Sequence, residues 1–267
     1  MKLRIMPARM GLTWIGHGLR ATLRQPMGFV GLLGLVALSA LLLIGIPVIG
    51  PLAVVSLMPV VWMGFMLASR RVLADQRVTP SVLLEPLKDG PQMRLNWVKL
   101  GGAYMAGTLL VMQLADTFGP GSEALTKALE SAKQAADVFE NPDVRADLLW
   151  RMAFSLPLSL VFWHTPALVY WGKLPVAKAL FFSVVACWRN LGAFILFGLG
   201  WFGAALALAL LNLALSALVS EPMLVNTLMS MLAMWLASAF YASLYFTVVD
   251  CFEPHDLDPV EIKTSTE

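Results

Sequence analysis

The stretch "CWRNLGAFILFGLGWFGAALALALLNLALSAL", Cys187–Leu218, decides the fold, because an arginine and an asparagine stand directly before an apolar run that carries no charge to its end. Crossing about 30 Å of hydrocarbon takes roughly 20 apolar residues of helix, and this run exceeds that. Upstream, "LRQPMGF", Leu23–Phe29, sets an arginine, an amide, a glycine and a phenylalanine in the same relative order before another apolar run. A charged corner followed by a span, used more than once, implies a repeated unit.

Composition agrees. The chain of 267 residues is 58% hydrophobic and 13% charged, whereas a soluble domain has about 25% charged residues. Its solvent is therefore largely lipid. Six runs are long and apolar enough to cross a bilayer, at about 27–46, 52–69, 97–115, 148–170, 191–214 and 223–249. "IPVIGP", Ile46–Pro51, divides the first two, since its prolines and glycine suit a tight turn. The expected fold is all-α: a polytopic bundle of six transmembrane helices with amphipathic interfacial helices, built as three helix-plus-hairpin units. Residues 1–252 form one transmembrane domain and 253–267 a polar cytoplasmic tail.

Of the 19 Lys and Arg residues, 15 fall on one side of this layout. The positive-inside rule places that side, with both termini, in the cytoplasm. The first run reads as a retained span, because no small-residue cleavage site follows it. The net charge of +2, without a basic stripe interleaved with aromatics, gives no reason to expect nucleic acid.

Before the first span, Arg9, Thr13, His17, Arg20 and Arg24 share one helical face, and Leu12, Ile15, Leu19 and Leu23 share another. Ala177, Leu180, Phe181, Val184, Val185 and Trp188 repeat the pattern before the fifth span. "TPSVLLEPLK", Thr79–Lys88, offers a shorter helix before the third, with Thr79 as N-cap and Pro80 at its first position. Each ends near a basic residue: Arg24, Arg94 or Arg189. These three are the candidate lipid-headgroup contacts. An arginine at such a corner lays its stem along acyl chains and its guanidinium among phosphates, and Gln25, Asn96 and Asn190 stand ready for backbone groups freed by the turn.

"TPALVYWGKLPVAKALFFSVVACWRNLGAFILFG", Thr165–Gly198, and "GFMLASRRVLADQRVTPSVLLEPLK", Gly64–Lys88, resemble an uncharacterised family of proteobacterial integral inner-membrane proteins. The layout is more distantly similar to the membrane domain of some bacterial glycerophosphodiester phosphodiesterases. The resemblance implies a fold and brings no chemistry, and the chain has no room for the phosphodiesterase's catalytic domain.

His164 and Thr165, beside Pro166, with Gln113 and Asn212 form the candidate intramembrane polar site. An ionisable side chain inside a membrane is a functional candidate, because a buried imidazole needs partners and relays protons near neutrality. Against this, Thr165 and His164 can serve the carbonyls that Pro166 frees, and Gln113 and Asn212 can be interhelical hydrogen bonds. Gln113 is the expected side-chain partner of His164. Pro59, Pro157 and Pro166 can bend their helices. In the outer loop, 116–147, Leu125, Leu129, Ala132, Ala136 and Phe139 trace the seam of an amphipathic helix. Cys187 and Cys251 lack the spacing of a metal site. No catalytic motif, cofactor fingerprint or metal-ligand spacing appears. The expected function is a non-enzymatic scaffold or lipid-contacting factor, with transport of a small or lipid-like solute between the hairpins as the alternative. Its expected partners are membrane lipids, and beyond them a membrane protein or a second copy.

Overall fold

A computed structural model describes residues 2–131 and 141–253. Ten α-helices account for most of them: α1 (Met10–Arg24), α2 (Pro26–Ile44), α3 (Ile49–Leu73), α4 (Gly90–Phe118), α5 (Ser122–Ser131), α6 (Pro142–Phe162), α7 (Thr165–Tyr170), α8 (Val176–Arg189), α9 (Leu191–Leu218) and α10 (Pro222–Cys251). The described residues form no strand beyond a single antiparallel bridge between Leu3 and Phe252. Six candidate spans result, with α6 and α7 together making the fourth. The chain is an all-α polytopic bundle. Three hairpins, α2/α3, α4/α6–α7 and α9/α10, carry their basic corners at one end, the basic end. The turns at 45–48 and 219–221 mark the far end.

The helices run past the apolar stretches at their termini. α4 begins at Gly90, where a φ of 89° turns the chain and Pro91 sits in the first helical turn, seven residues before the apolar run. At the first hairpin the turn is confined to Gly45–Val48, and Gly50 and Pro51 belong to the first turn of α3, where a proline costs no intrahelical bond. Val48 closes this turn at φ 64°, a conformation that a β-branched side chain rarely adopts.

α1 departs from its expected two faces. Against the protein it presents a third face, Gly11, Trp14, Gly18, Ala21 and Thr22, while Leu12 and Leu23 are exposed. The two glycines let its backbone approach its neighbours. A Cβ on Gly11 would collide with the Ala193 carbonyl of α9, and one on Gly18 would stand 2.6 Å from Ser243 Cβ of α10. Trp14 then reaches Asp250 Oδ2 with its indole N–H at 2.7 Å. α1 is thus clamped to the third hairpin and leaves Leu12 and Leu23 for lipid.

The segment at 79–88 is not an α-helix. Pro86 confines it to two 3₁₀ turns, Pro80–Leu83 and Glu85–Leu87, and the Thr79 hydroxyl makes no cap but accepts a hydrogen bond from Arg71, 2.9 Å away. Arg71 also pairs with Glu85. In the far-end loop α5 buries Ala128 against Val144 and exposes Leu125 and Leu129, contrary to the expected seam. Ala132, Ala136 and Phe139 lie outside the described residues, as does the tail beyond Glu253.

Candidate functional site

The corners are best built from the residue that stands immediately before each hairpin. These are Gln25, Asp89 and Asn190, preceded by Arg24, Lys88 and Arg189. Each holds the segment leading into the next unit. Gln25 donates from Nε2 to the Gln76 carbonyl at 2.7 Å and accepts the Val78 N–H at 2.9 Å. Asn190 repeats the pairing on residues 4–6, donating to the Arg4 carbonyl at 3.1 Å and accepting the Met6 N–H at 2.6 Å. A primary amide offers donor and acceptor side by side, so it pairs with an extended backbone as a neighbouring strand would. Asp89 has no donor, and it holds the third lead segment through Lys173 Nζ at 2.8 Å instead.

The three clamps make a ring. The first unit holds the second, the second holds the third, and the third, through Asn190, holds the first. Where the chain has no covalent link to close it, the ends pair: Arg4 N–H donates to the Cys251 carbonyl at 2.9 Å, and Glu253 N–H to the Lys2 carbonyl at 3.3 Å.

The middle corner therefore differs from its expected position. Arg94 lies inside α4, one turn past the corner, and Asn96 beside it makes no side-chain hydrogen bond among the described residues. Lys88–Asp89 is the true counterpart of Arg24–Gln25 and Arg189–Asn190. Arg24, Lys88, Arg94 and Arg189 are all exposed and have no ion-pair partner among the described residues. Asn190 is 98% buried and also donates to its own helix, at the Ala186 carbonyl.

His164 and Thr165 occupy the break between α6 and α7. The break is spliced from outside: Ser183 of α8 accepts the His164 N–H at 3.0 Å and donates to the Leu160 carbonyl at 2.9 Å. Those two groups would have bonded each other in an unbroken helix, so one hydroxyl is inserted into the ladder. The Thr165 hydroxyl covers the Val161 carbonyl at 2.7 Å. The imidazole is fully buried, with Nδ1 3.6 Å from Cys187 Sγ and the ring edge-on to Phe194 and Phe252. Its Nε2 has no hydrogen-bond partner among the described residues.

Gln113 and Asn212 do not join it. Along the second hairpin Asp116 meets Arg151 at 2.6 Å and Tyr104 meets Phe162 at 5.0 Å between ring centres. Gln113 thus lies about 13 Å along α4 from the level of Phe162, exposed near the far end. Asn212 is also exposed, six residues from the far end of α9. His164, packed on Phe252, belongs to the basic end. The expected four-residue site is three separate places, and the partner of His164 is Cys187. Ser183 went unnoticed because a serine in an amphipathic helix carries no signal. The proline two residues after His164 announced freed carbonyls, and the serine one helix away was the group to look for.

Pro59 and Pro157 lie inside continuous helices. Both cysteines are buried and free.

The site and the fold define a multi-pass membrane bundle tied at one end by polar corners. A probable inner membrane protein of Burkholderia thailandensis is 32% identical over 263 residues, covering 94% of each chain. The chain belongs to that family of inner membrane proteins. No protein-family model and no solved structure matches it, so the distant likeness to the phosphodiesterase membrane domain gains no support.

Proposed function

We propose that the protein is a non-enzymatic membrane scaffold or lipid-contacting factor whose basic end lies in the cytoplasmic leaflet. One observation carries this reading: Arg24, Lys88 and Arg189 are exposed cations without an ion-pair partner among the described residues, and each stands one residue before a corner where the chain enters a span. A Lys or Arg near an anionic membrane surface contributes about 1 kcal/mol. Three in a ring favour a collar of anionic lipid around the clamped end.

Transport between the hairpins has less behind it. Met63 of α3, Leu100 of α4 and Leu168 of α7 are fully buried in the space such a path would use, and the cavities between α2 and α3 and between α9 and α10 lie at the sides, within or beside single hairpins.

The test is lipid retention. Wild-type protein reconstituted in vesicles of phosphatidylethanolamine and phosphatidylglycerol, then extracted and weighed by native mass spectrometry, should keep phosphatidylglycerol in excess. The Arg24→Glu/Arg189→Glu double variant should lose that excess several-fold, with topology checked in parallel. An unchanged lipid profile would overturn the reading.

A further inference from the structure

α9 and α10 part toward the far end and leave a groove of about 650 Å³ between them. Ala205 and Ala209 face it from α9, and Ala233 and Ala237 from α10. Small residues four apart on both partners ordinarily let membrane helices close on each other. Here Ala205, Ala209 and Ala233 remain exposed along an open slot.

The slot has a floor and a mouth. At the floor, Trp201 meets Phe240 at 5.7 Å between ring centres and Phe240 meets Tyr241 at 5.5 Å. At the mouth stand Asn212 and Asn226, six residues from the end of α9 and four into α10, hence at about the same level, 6–9 Å from the helix ends. Both are exposed, and neither carboxamide makes a hydrogen bond among the described residues. Amides in an apolar helix without partners are costly where water is scarce. An ester carbonyl accepts what they donate, and a headgroup amine or hydroxyl donates what they accept.

From these features we infer that the groove is a lipid site, holding one acyl chain of a phospholipid from the far leaflet with its glycerol ester region at Asn212 and Asn226. Depth supports the assignment. Asn212 and Trp201 are eleven residues apart, about 16 Å, close to half of a hydrocarbon core of about 30 Å. A second copy's helix, about 10–12 Å across, cannot enter between α9 and α10 as far as the floor, where the Trp201 and Phe240 rings are in contact. A chain one methylene wide needs far less room. The cavity of about 600 Å³ that shares Asn226 and Ser230 with this mouth is bordered by Met223, Met231 and Met234, side chains adaptable enough to cover a glycerol backbone.

The inference rests on the lipid-contacting reading, but its test leaves the basic corners intact and uses a zwitterionic lipid. Full-length wild type, Ala209→Trp/Ala233→Trp and Asn212→Leu are reconstituted in palmitoyl-oleoyl phosphatidylethanolamine vesicles, extracted, and weighed by native mass spectrometry. Wild type should retain one lipid that the filled groove lacks, with the variant's helicity and melting unchanged. Asn212→Leu should retain it several-fold less often. Ala209→Leu, a milder filling, serves if the tryptophan pair does not fold and should lower retention in the same direction. Equal retention in wild type and filled variants would overturn the assignment. So would a wild-type dimer that filling dissociates, which would make a second copy the occupant. Loss of phosphatidylglycerol preference in the corner variants with this lipid still bound would show that the two lipid contacts are separate.

Discussion

The two ends of the third hairpin are built from similar residues and behave differently. Asn190 at the basic end is buried and makes three hydrogen bonds to backbone, while Asn212 at the far end is exposed and makes none among the described residues. The same amide fastens the fold in one place and waits on the bilayer in the other. What separates them is the backbone at hand. At the basic end, lead segments bring backbone past Gln25 and Asn190 and an ammonium to Asp89, and at the far end of this hairpin the short turn at 219–221 brings none.

The widest gap between the ends should appear on removing the two amides. Asn190→Leu strands the Met6 N–H and the Arg4 carbonyl, and should lower stability by about 2–3 kcal/mol. Asn212→Leu should stay within about 0.5 kcal/mol. Denaturant unfolding in mixed micelles measures both, and equal losses would erase the distinction. Ser183→Ala comes next: it removes the hydroxyl that splices α6 to α7 and should cost about 1–3 kcal/mol, with faster hydrogen exchange at His164 as its local sign.

A smaller effect follows from His17, on α1 outside the spans. Burial lowers its imidazole below the ordinary 6.5, Asp250 partly offsets this, and Arg20 adds to it. Because the unfolded chain takes up the proton first, stability contributed by neutral His17 is present above the unfolded value and is lost as pH falls through it toward the folded one. Between about pH 7.5 and about pH 5.5 the melting temperature should fall, and His17→Gln should reduce that fall. Smallest of all, Val48→Gly relieves the positive φ in the first far-end turn and should gain about 1 kcal/mol, or roughly 2–4 °C in melting temperature.

The spans were legible because the bilayer demands apolar length, and the corners at Arg24–Gln25 and Arg189–Asn190 because each stands directly before an apolar run. Lys88–Asp89 was not, since α4 starts seven residues before its apolar stretch, and a reading anchored on hydropathy settles on Arg94 and Asn96. The packing face of α1 was hidden for another reason. Periodicity sorts polar from apolar side chains, and the face that meets protein is made of glycine, alanine, a threonine and one tryptophan. The break at His164 was visible through Pro166, but its splice was not, because Ser183 is distant in sequence and becomes its neighbour only once α8 has docked.

The scaffold reading depends on the basic end facing the cytoplasm, so sidedness is its most direct test. Single cysteines, Glu130→Cys on far-end α5 and Val260→Cys beyond α10, are introduced with Cys187 and Cys251 replaced by serine or alanine, and intact cells are treated with an impermeant maleimide. The account predicts labelling at position 130 and protection at position 260 until the cells are opened. Labelling at 260 in intact cells, or protection at 130, would contradict it.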